Sequence, residues 1–320
     1  MKLVVWTWLV LFGRCVRASS GDRLPEFQQC VSECKIDGAG CPNGPRLALI
    51  LILTGWTCEA NCRYQCTHTV TQASIKTGGS VHQFYGKWPF ARLLGMQEPA
   101  SVLFSALNGY AHYCGHRAIL RLSLVRSNPF KRLYLLNARL CMFGWQCSAL
   151  FHSRDLPTTE KLDYFSAVAS LLFNAYISIS QLFKLADSRR KHIRRAFQLA
   201  CILFLSIHIS YLTLWDFDYA YNMAAGITIG MSSNLGWLLW TALQYTRRRY
   251  AYKIVAFVVL ISCAMALEVL DFPPILWVLD AHALWHAATV PLVFLLYSFF
   301  LDDLRFEESG GALLGKDASE

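Results

Sequence analysis

From about residue 98 onward, apolar residues come in long stretches separated by short charged linkers. The stretches cover 98–118, 133–153, 163–183, 196–215, 220–243, 253–271 and 280–301. Each is about 20 residues, the length at which a helix crosses a hydrocarbon core of roughly 30 Å. The pattern predicts an all-α membrane protein, a seven-transmembrane helix bundle. No stretch is purely apolar: the second carries Asn137, Arg139, Gln146 and Ser148, and the fifth carries Asn222 and Asn234. Polar side chains are costly in lipid, so these faces are expected to meet one another or a cavity.

Ahead of the bundle the pattern changes. Lys2 precedes an apolar run, Leu3 to Phe12, that is too short to span a bilayer, and the small residues Ala18, Ser19 and Ser20 follow. This reads as a secretory signal over 1–20, cleaved near Gly21. Residues 21–95 are mostly polar and hold Cys30, Cys34, Cys41, Cys58, Cys62 and Cys66. Cysteines at this density behind a signal imply an N-terminal disulfide-rich lumenal domain. Cys30/Cys34 and Cys58/Cys62, the latter continued by Cys66, are spaced to put their thiols on one helical face. That suits a helical pair stapled by bridges. Zinc is the competing reading, and the spacing and oxidising compartment favour disulfides. The pairing stays open, since six cysteines can connect in many ways. Cys114, Cys141, Cys147, Cys201 and Cys263 lie in apolar stretches and read as packing residues. The expected division is 1–20 signal, 21–95 cysteine-rich domain, 96–302 membrane domain and 303–320 tail.

Composition supports this reading. Of 320 residues, 55% are apolar and 16% charged, against about 25% charged in soluble globular chains. A soluble enzyme, a disordered regulator and a coiled coil are all excluded. The net charge of +9 leaves nucleic acid or an anionic membrane surface as its meaning, and its distribution decides. The segments around the linkers after the first, third and fifth stretches, Arg117 to Arg132, Lys184 to Arg195 and Arg247 to Lys253, hold 15 basic residues against Asp187 alone, a net of +14, and the rest of the chain sums to −5. Cytosolic loops collect Lys and Arg, so the N-terminus is expected in the lumen and the C-terminus in the cytosol. No nucleic-acid partner is needed to explain the charge.

The chemistry candidates are few. His282 and His286 are spaced to share one face at the start of the seventh stretch, where they can share a metal. His152 closes the second stretch with Ser148 one turn before it, and Asp163 follows 11 residues after His152. The predicted topology brings all of these to the lumenal side. Three histidines with an open fourth position match a hydrolytic zinc site. There Asp163 is the expected base, and Ser148 is expected to bond the water or the oxyanion. The competing readings are that the paired histidines face a helix interface, that Ser148 is a small packing residue, and that Asp163 and Asp280 cap their helices. A Ser–His–Asp nucleophilic site is a further alternative, but it leaves His282 and His286 idle. His68, His82, His112, His116, His192 and His208 read as surface or packing residues.

The Ser148/His152, Asp163 and His282/His286 set resembles the CREST superfamily of seven-span hydrolases, which includes alkaline ceramidases and adiponectin/progestin-type receptors. Other segments resemble the GPI-anchor-remodelling branch of that superfamily. They are the cysteine head, Gly86-Lys-Trp-Pro-Phe90, Gln97 to Ser101, Phe151 to Asp155, Lys161 to Phe165, Phe217 to Tyr219, and Leu270 to Pro274 through Asp280, His282, Trp285 and His286. The resemblance implies a GPI-specific phospholipase A2 activity that hydrolyses the sn-2 acyl ester of GPI-anchored proteins in the Golgi, with the endoplasmic reticulum as the other compartment. It implies Zn2+ on His152, His282 and His286, with Asp163 and Ser148 as catalytic partners. GPI-anchored proteins and membrane lipids are the implied partners. The alkaline ceramidases also carry an acidic calcium-binding stretch before their first span, where this chain has Glu98 alone. A ceramide-type amide hydrolase and a non-catalytic seven-span receptor or chaperone for GPI-anchored proteins are the rival readings.

Overall fold

The computed structural model describes residues 19–123, 128–215 and 217–309. The expected signal segment up to residue 18 and the end of the expected tail from residue 310 lie outside the described residues. The described chain is helical. Three helices form the head: α1 (Pro25–Asp37), α2 (Leu49–Leu53) and α3 (Cys58–Lys76). Seven long ones follow: α4 (Pro99–Arg121), α5 (Pro129–Ser153), α6 (Pro157–Leu182), α7 (Lys191–Leu214), α8 (Tyr219–Gln244), α9 (Tyr252–Val269) and α10 (Ala281–Glu308).

Each apolar stretch falls on one long helix, but the helices extend past the hydropathy boundaries. Helices α4, α5 and α6 start with Pro99, Pro129 and Pro157. Proline suits the first helical turn, where its missing N–H and fixed φ cost nothing. In α5 and α6 the polar first turn that follows hides the start from a hydropathy reading. Asn128 caps α5 through Phe130 N, and Asp280 caps α10 through Ala283 N, each at 2.8 Å. Asp163 sits inside α6, beyond its first turn, and does not cap it. At the other end, α10 runs on to Glu308, so the first residues of the expected tail are helical.

Six helices close a ring in the order α4, α5, α6, α8, α9, α10 and back to α4. Helix α7 leans on α6 from outside. Its Leu199, Ile202, Leu203 and Ile207 are exposed, a surface suited to lipid and not to water. By length and composition, α6, the segment Ser188–Leu214 containing α7, the segment Arg249–Glu268 covering α9 as far as Glu268, and α10 can each cross a membrane. Cys141 and Cys147 pack inside the bundle, whereas Cys263 is exposed. Cys263 therefore departs from the packing role expected of it, because its side of α9 faces outward.

In the head, Cys30–Cys66 and Cys34–Cys62 staple α1 to α3, and Cys41–Cys58 closes the intervening loop. The staple uses the Cys62/Cys66 repeat of α3. Cys58 opens that helix and is left to hold the loop. A tight turn then follows, with φ of 52° at Tyr85 and 80° at Gly86. Phe84 and Lys87 exchange backbone hydrogen bonds of 2.8 and 3.0 Å across it. Two positive φ values in succession make a primed turn, for which glycine is the favoured residue. The turn aims Lys87 at the bundle. Trp88 Nε1 donates to Asp271 Oδ1 at 2.8 Å and Ala91 N to Trp277 O at 2.8 Å. The head thus docks on the end of the bundle where α5 stops and α10 starts.

Candidate metal centre

At that end, two backbone bonds join the start of α4 to the end of α5: Gln97 N to Ser153 O at 3.1 Å and Glu98 N to His152 O at 3.0 Å. They set the Glu98 carboxylate beside the His152 ring. His282 and His286 occupy successive turns of α10 just after its Asp280 cap. His282 Nε2 lies 2.9 Å from His286 Nε2 and 3.4 Å from His152 Nε2.

All three imidazoles turn Nε2 inward and commit Nδ1 outward. His152 Nδ1 meets Glu98 Oε2 at 2.8 Å, His282 Nδ1 meets Glu268 Oε2 at 2.7 Å, and His286 Nδ1 meets Ser105 Oγ at 3.1 Å. A metal-ligating histidine characteristically gives its other nitrogen to a carboxylate or similar partner, which fixes its tautomer and orientation. Zinc binds imidazole nitrogen at about 2.0–2.1 Å in a tetrahedron, so its ligand nitrogens sit roughly 3.3 Å apart. The ring spacing and the donor set fit that ion. The Cys41, Cys58 and Cys62 sulfurs also lie close together, but every one is in a disulfide and offers no thiolate.

The support around His152 is dry: its side chain is 3% exposed and that of Glu98 6%. Glu98 Oε1 also receives Lys87 Nζ, which reaches Asp155 at 3.2 Å as well. Burial opposes the charge on Lys87, but the Glu98 and Asp155 carboxylates outweigh it and hold its pKa above the usual lysine value. Glu98 is therefore flanked by an imidazole on one oxygen and an ammonium on the other.

The other expected residues take different places. Ser148 is buried and bonds to Ser105 Oγ at 3.1 Å. It meets the site through Ser105 and, among the described residues, makes no bond to a histidine nitrogen. Asp163, half-buried on α6, is within electrostatic reach of His282 but makes no hydrogen bond to it among the described residues. Of the remaining histidines, His112 bonds to Tyr297 OH at 2.9 Å and His208 to Asn222 Oδ1 at 3.2 Å, both as buried packing residues. The outer partners Glu98, Glu268, Ser105 and Lys87 were not foreseen from the sequence as parts of the site. Glu268 did carry a signal: an acid in an otherwise apolar stretch marks function by default.

The model of the Per1-like family matches residues 48–304. The chain belongs to the Per1-like family. The Per1-like match starts in the head and ends within α10, so it contains every residue of the histidine cluster. A Xenopus laevis protein named GPI-specific phospholipase A2-like PGAP3 is 42% identical over 309 residues, covering 92% of this chain and 94% of that protein. The Homo sapiens protein of the same name is 37% identical over 294 residues, covering 89% of each. A Drosophila melanogaster protein named Post-GPI attachment to proteins factor 3 is 38% identical over 292 residues, covering 88% of this chain and 87% of its own length.

Proposed function

We propose that this chain remodels GPI anchors by hydrolysing the sn-2 acyl ester of their lipid with the help of zinc. The observation that carries the reading is the convergence of three Nε2 atoms whose Nδ1 atoms are all committed to fixed partners. The names of the relatives supply the substrate class.

Zinc held by His152, His282 and His286 would supply Lewis acidity, polarising an ester carbonyl and making water nucleophilic near neutral pH. The chain's own groups do the rest. Glu98, Glu268 and Ser105 hold the three rings in register, and Ser148 steadies Ser105. Asp163 takes a proton from the attacking water as its oxygen bonds to the carbonyl carbon. When the carbonyl carbon parts from the glycerol oxygen, Asp163 returns that proton to it. The products are a free fatty acid and a lyso-lipid still attached to its protein.

The seven long helices serve as seven spans in this reading. The described basic residues that flank the linkers after α4, α6 and α8 lie at the helix ends away from the histidines. With cytosolic loops favouring Lys and Arg, this supports a lumenal site, a lumenal N-terminus and a cytosolic C-terminus. The substrate headgroup and its protein are lumenal too, and the Golgi membrane is the proposed residence.

The test is the lipid mass of a GPI-anchored reporter in cells lacking this chain. Wild type should restore remodelled sn-2 chains, and His152→Ala and Asp163→Ala should not. Full restoration by both variants would make the chain a receptor or chaperone. Purified protein offered a ceramide-type amide and an sn-2 ester lipid should cleave the ester alone.

A further inference from the structure

A cavity beside the site is lined by none of the three clustered histidines. It measures about 470 Å³, within the range of roughly 300–1,000 Å³ typical of ligand sites. It lies where the head docks on the bundle, and both contribute walls: Arg63 and Tyr85 come from the head, Arg154 and Asp155 from the end of α5 and the loop after it. Glu98 also lines it, the same carboxylate that holds His152. One side chain thus faces the cavity and buttresses the candidate metal centre.

The chemistry of the walls is polar and aromatic. Arg63 stacks 4.5 Å above the Tyr85 ring, and Arg154 4.4 Å from the Trp56 ring. Each keeps a buried Nε with no hydrogen-bond partner among the described residues. A buried donor left unpaired is destabilising, and an acceptor oxygen on a ligand seated against these walls would relieve it. Carboxylates are interleaved with the cations, as Glu59 bonds to Arg63 Nη2 at 2.6 Å and Asp155 pairs with Lys87. Such a mixture does not suit a simple anion, which the carboxylates would repel, and the charged groups interrupt the aromatic wall that an acyl chain would need. It suits a hydroxyl-rich ligand carrying a phosphate, with aromatic faces for sugar rings and guanidinium groups for phosphate oxygens.

We infer that this cleft seats the inositol-phosphate glycan headgroup of the lipid while the acyl ester lies at the histidines. The inference rests on the GPI-lipid reading above. The headgroup phosphate and the sn-2 ester are joined through the glycerol, so neighbouring sites sharing Glu98 suit the two ends of one molecule. The cysteine-rich head then acts as half of the substrate site.

The experiment uses the full chain in detergent and the acyl-free inositol-phosphate glycan released from an anchor by a phospholipase C. Wild type and His282→Ala should bind it equally, since His282 lies outside the cleft. Arg63→Ala should bind at least tenfold more weakly. Arg63→Lys, which keeps the charge but lacks Nε, should also lose affinity. Arg154→Lys tests the opposite wall, and melting curves report whether each variant is folded. Unchanged affinity in folded Arg63→Ala and Arg154→Lys, or complete displacement of the glycan by millimolar inorganic phosphate, would overturn the inference. Glycan binding without ester hydrolysis by wild type would instead sink the hydrolase reading and leave the cleft standing.

Discussion

Glu98 Oε2 lies 2.8 Å from Nδ1 of His152, although the two residues are 54 positions apart. The contact follows from the backbone bonds that splice the start of α4 to the end of α5. It makes Glu98 the strongest candidate for tuning the proposed metal centre from outside the ligand set. Loss of such a partner typically lowers metal affinity about 10–100-fold. Glu98→Gln should therefore shed zinc to a chelator at much lower concentration than wild type while keeping the fold. Metal content after graded chelation checks it, and wild-type retention would mean that Glu98 only anchors Lys87.

Asp163 calls for the opposite outcome. It is near His282 without bonding to it among the described residues, as expected of a proton carrier and not of a ligand. Asp163→Asn should retain the metal yet lose activity by about 100- to 10,000-fold, the usual worth of a positioned acid or base. Parallel metal analysis and lipid hydrolysis separate the two roles. Loss of metal in this variant would make Asp163 part of the coordination shell.

The head is expected to depend on its staples. It has little core beyond a cluster around Phe27, Val31, Cys66 and Phe84. Cross-links of this kind are worth about 2–4 kcal/mol each. Replacing Cys34 and Cys62 together by Ala should open the α1–α3 pair to limited proteolysis, while Cys263→Ala, at an exposed free thiol, should not. Equal protease resistance in the two variants would show that packing alone holds the head.

The parts legible in the sequence were those carried by local periodicity. Long apolar stretches located the seven long helices, and i,i+4 spacing identified both the His282/His286 pair and the stapling cysteines. The partners of these groups were not legible, because they come from distant turns. Glu268 stands 14 residues from His282, and Ser105 stands 181 residues from His286. Ser148 was read as a direct participant from its position one turn before His152. Its hydroxyl turns toward α4 instead, a rotation about the helix axis that spacing within α5 alone cannot specify. Disulfide connectivity was hidden for a related reason. Three cysteines on α3 share a face, and only the antiparallel approach of α1 decides which two are used.

The far end of the bundle carries a second buried network, and it makes the last prediction. Asp303 is fully buried on α10. Its Oδ2 accepts from Tyr134 OH at 2.7 Å and Gln181 Nε2 at 2.9 Å, and its Oδ1 from Arg248 Nη1 and Tyr250 OH, both at 2.8 Å. These donors come from α5, from α6 and from the segment between α8 and α9, so one carboxylate ties four parts of the ring together. Each carboxylate oxygen takes two donors, and such pairing is the condition under which a buried charge is tolerated. Removing the carboxylate takes from Arg248 its fully buried partner and leaves it only the more exposed Glu307; breaking a buried pair in this way costs up to about 3–5 kcal/mol. Asp303→Ala should therefore lower the melting temperature and the steady-state amount of the protein without altering zinc affinity in the fraction that folds. Asp303→Ala combined with Arg248→Met should recover part of the loss, since the stranded charge is then gone. If the double variant is as unstable as the sum of the single ones, the network acts through packing and not through the ion pair.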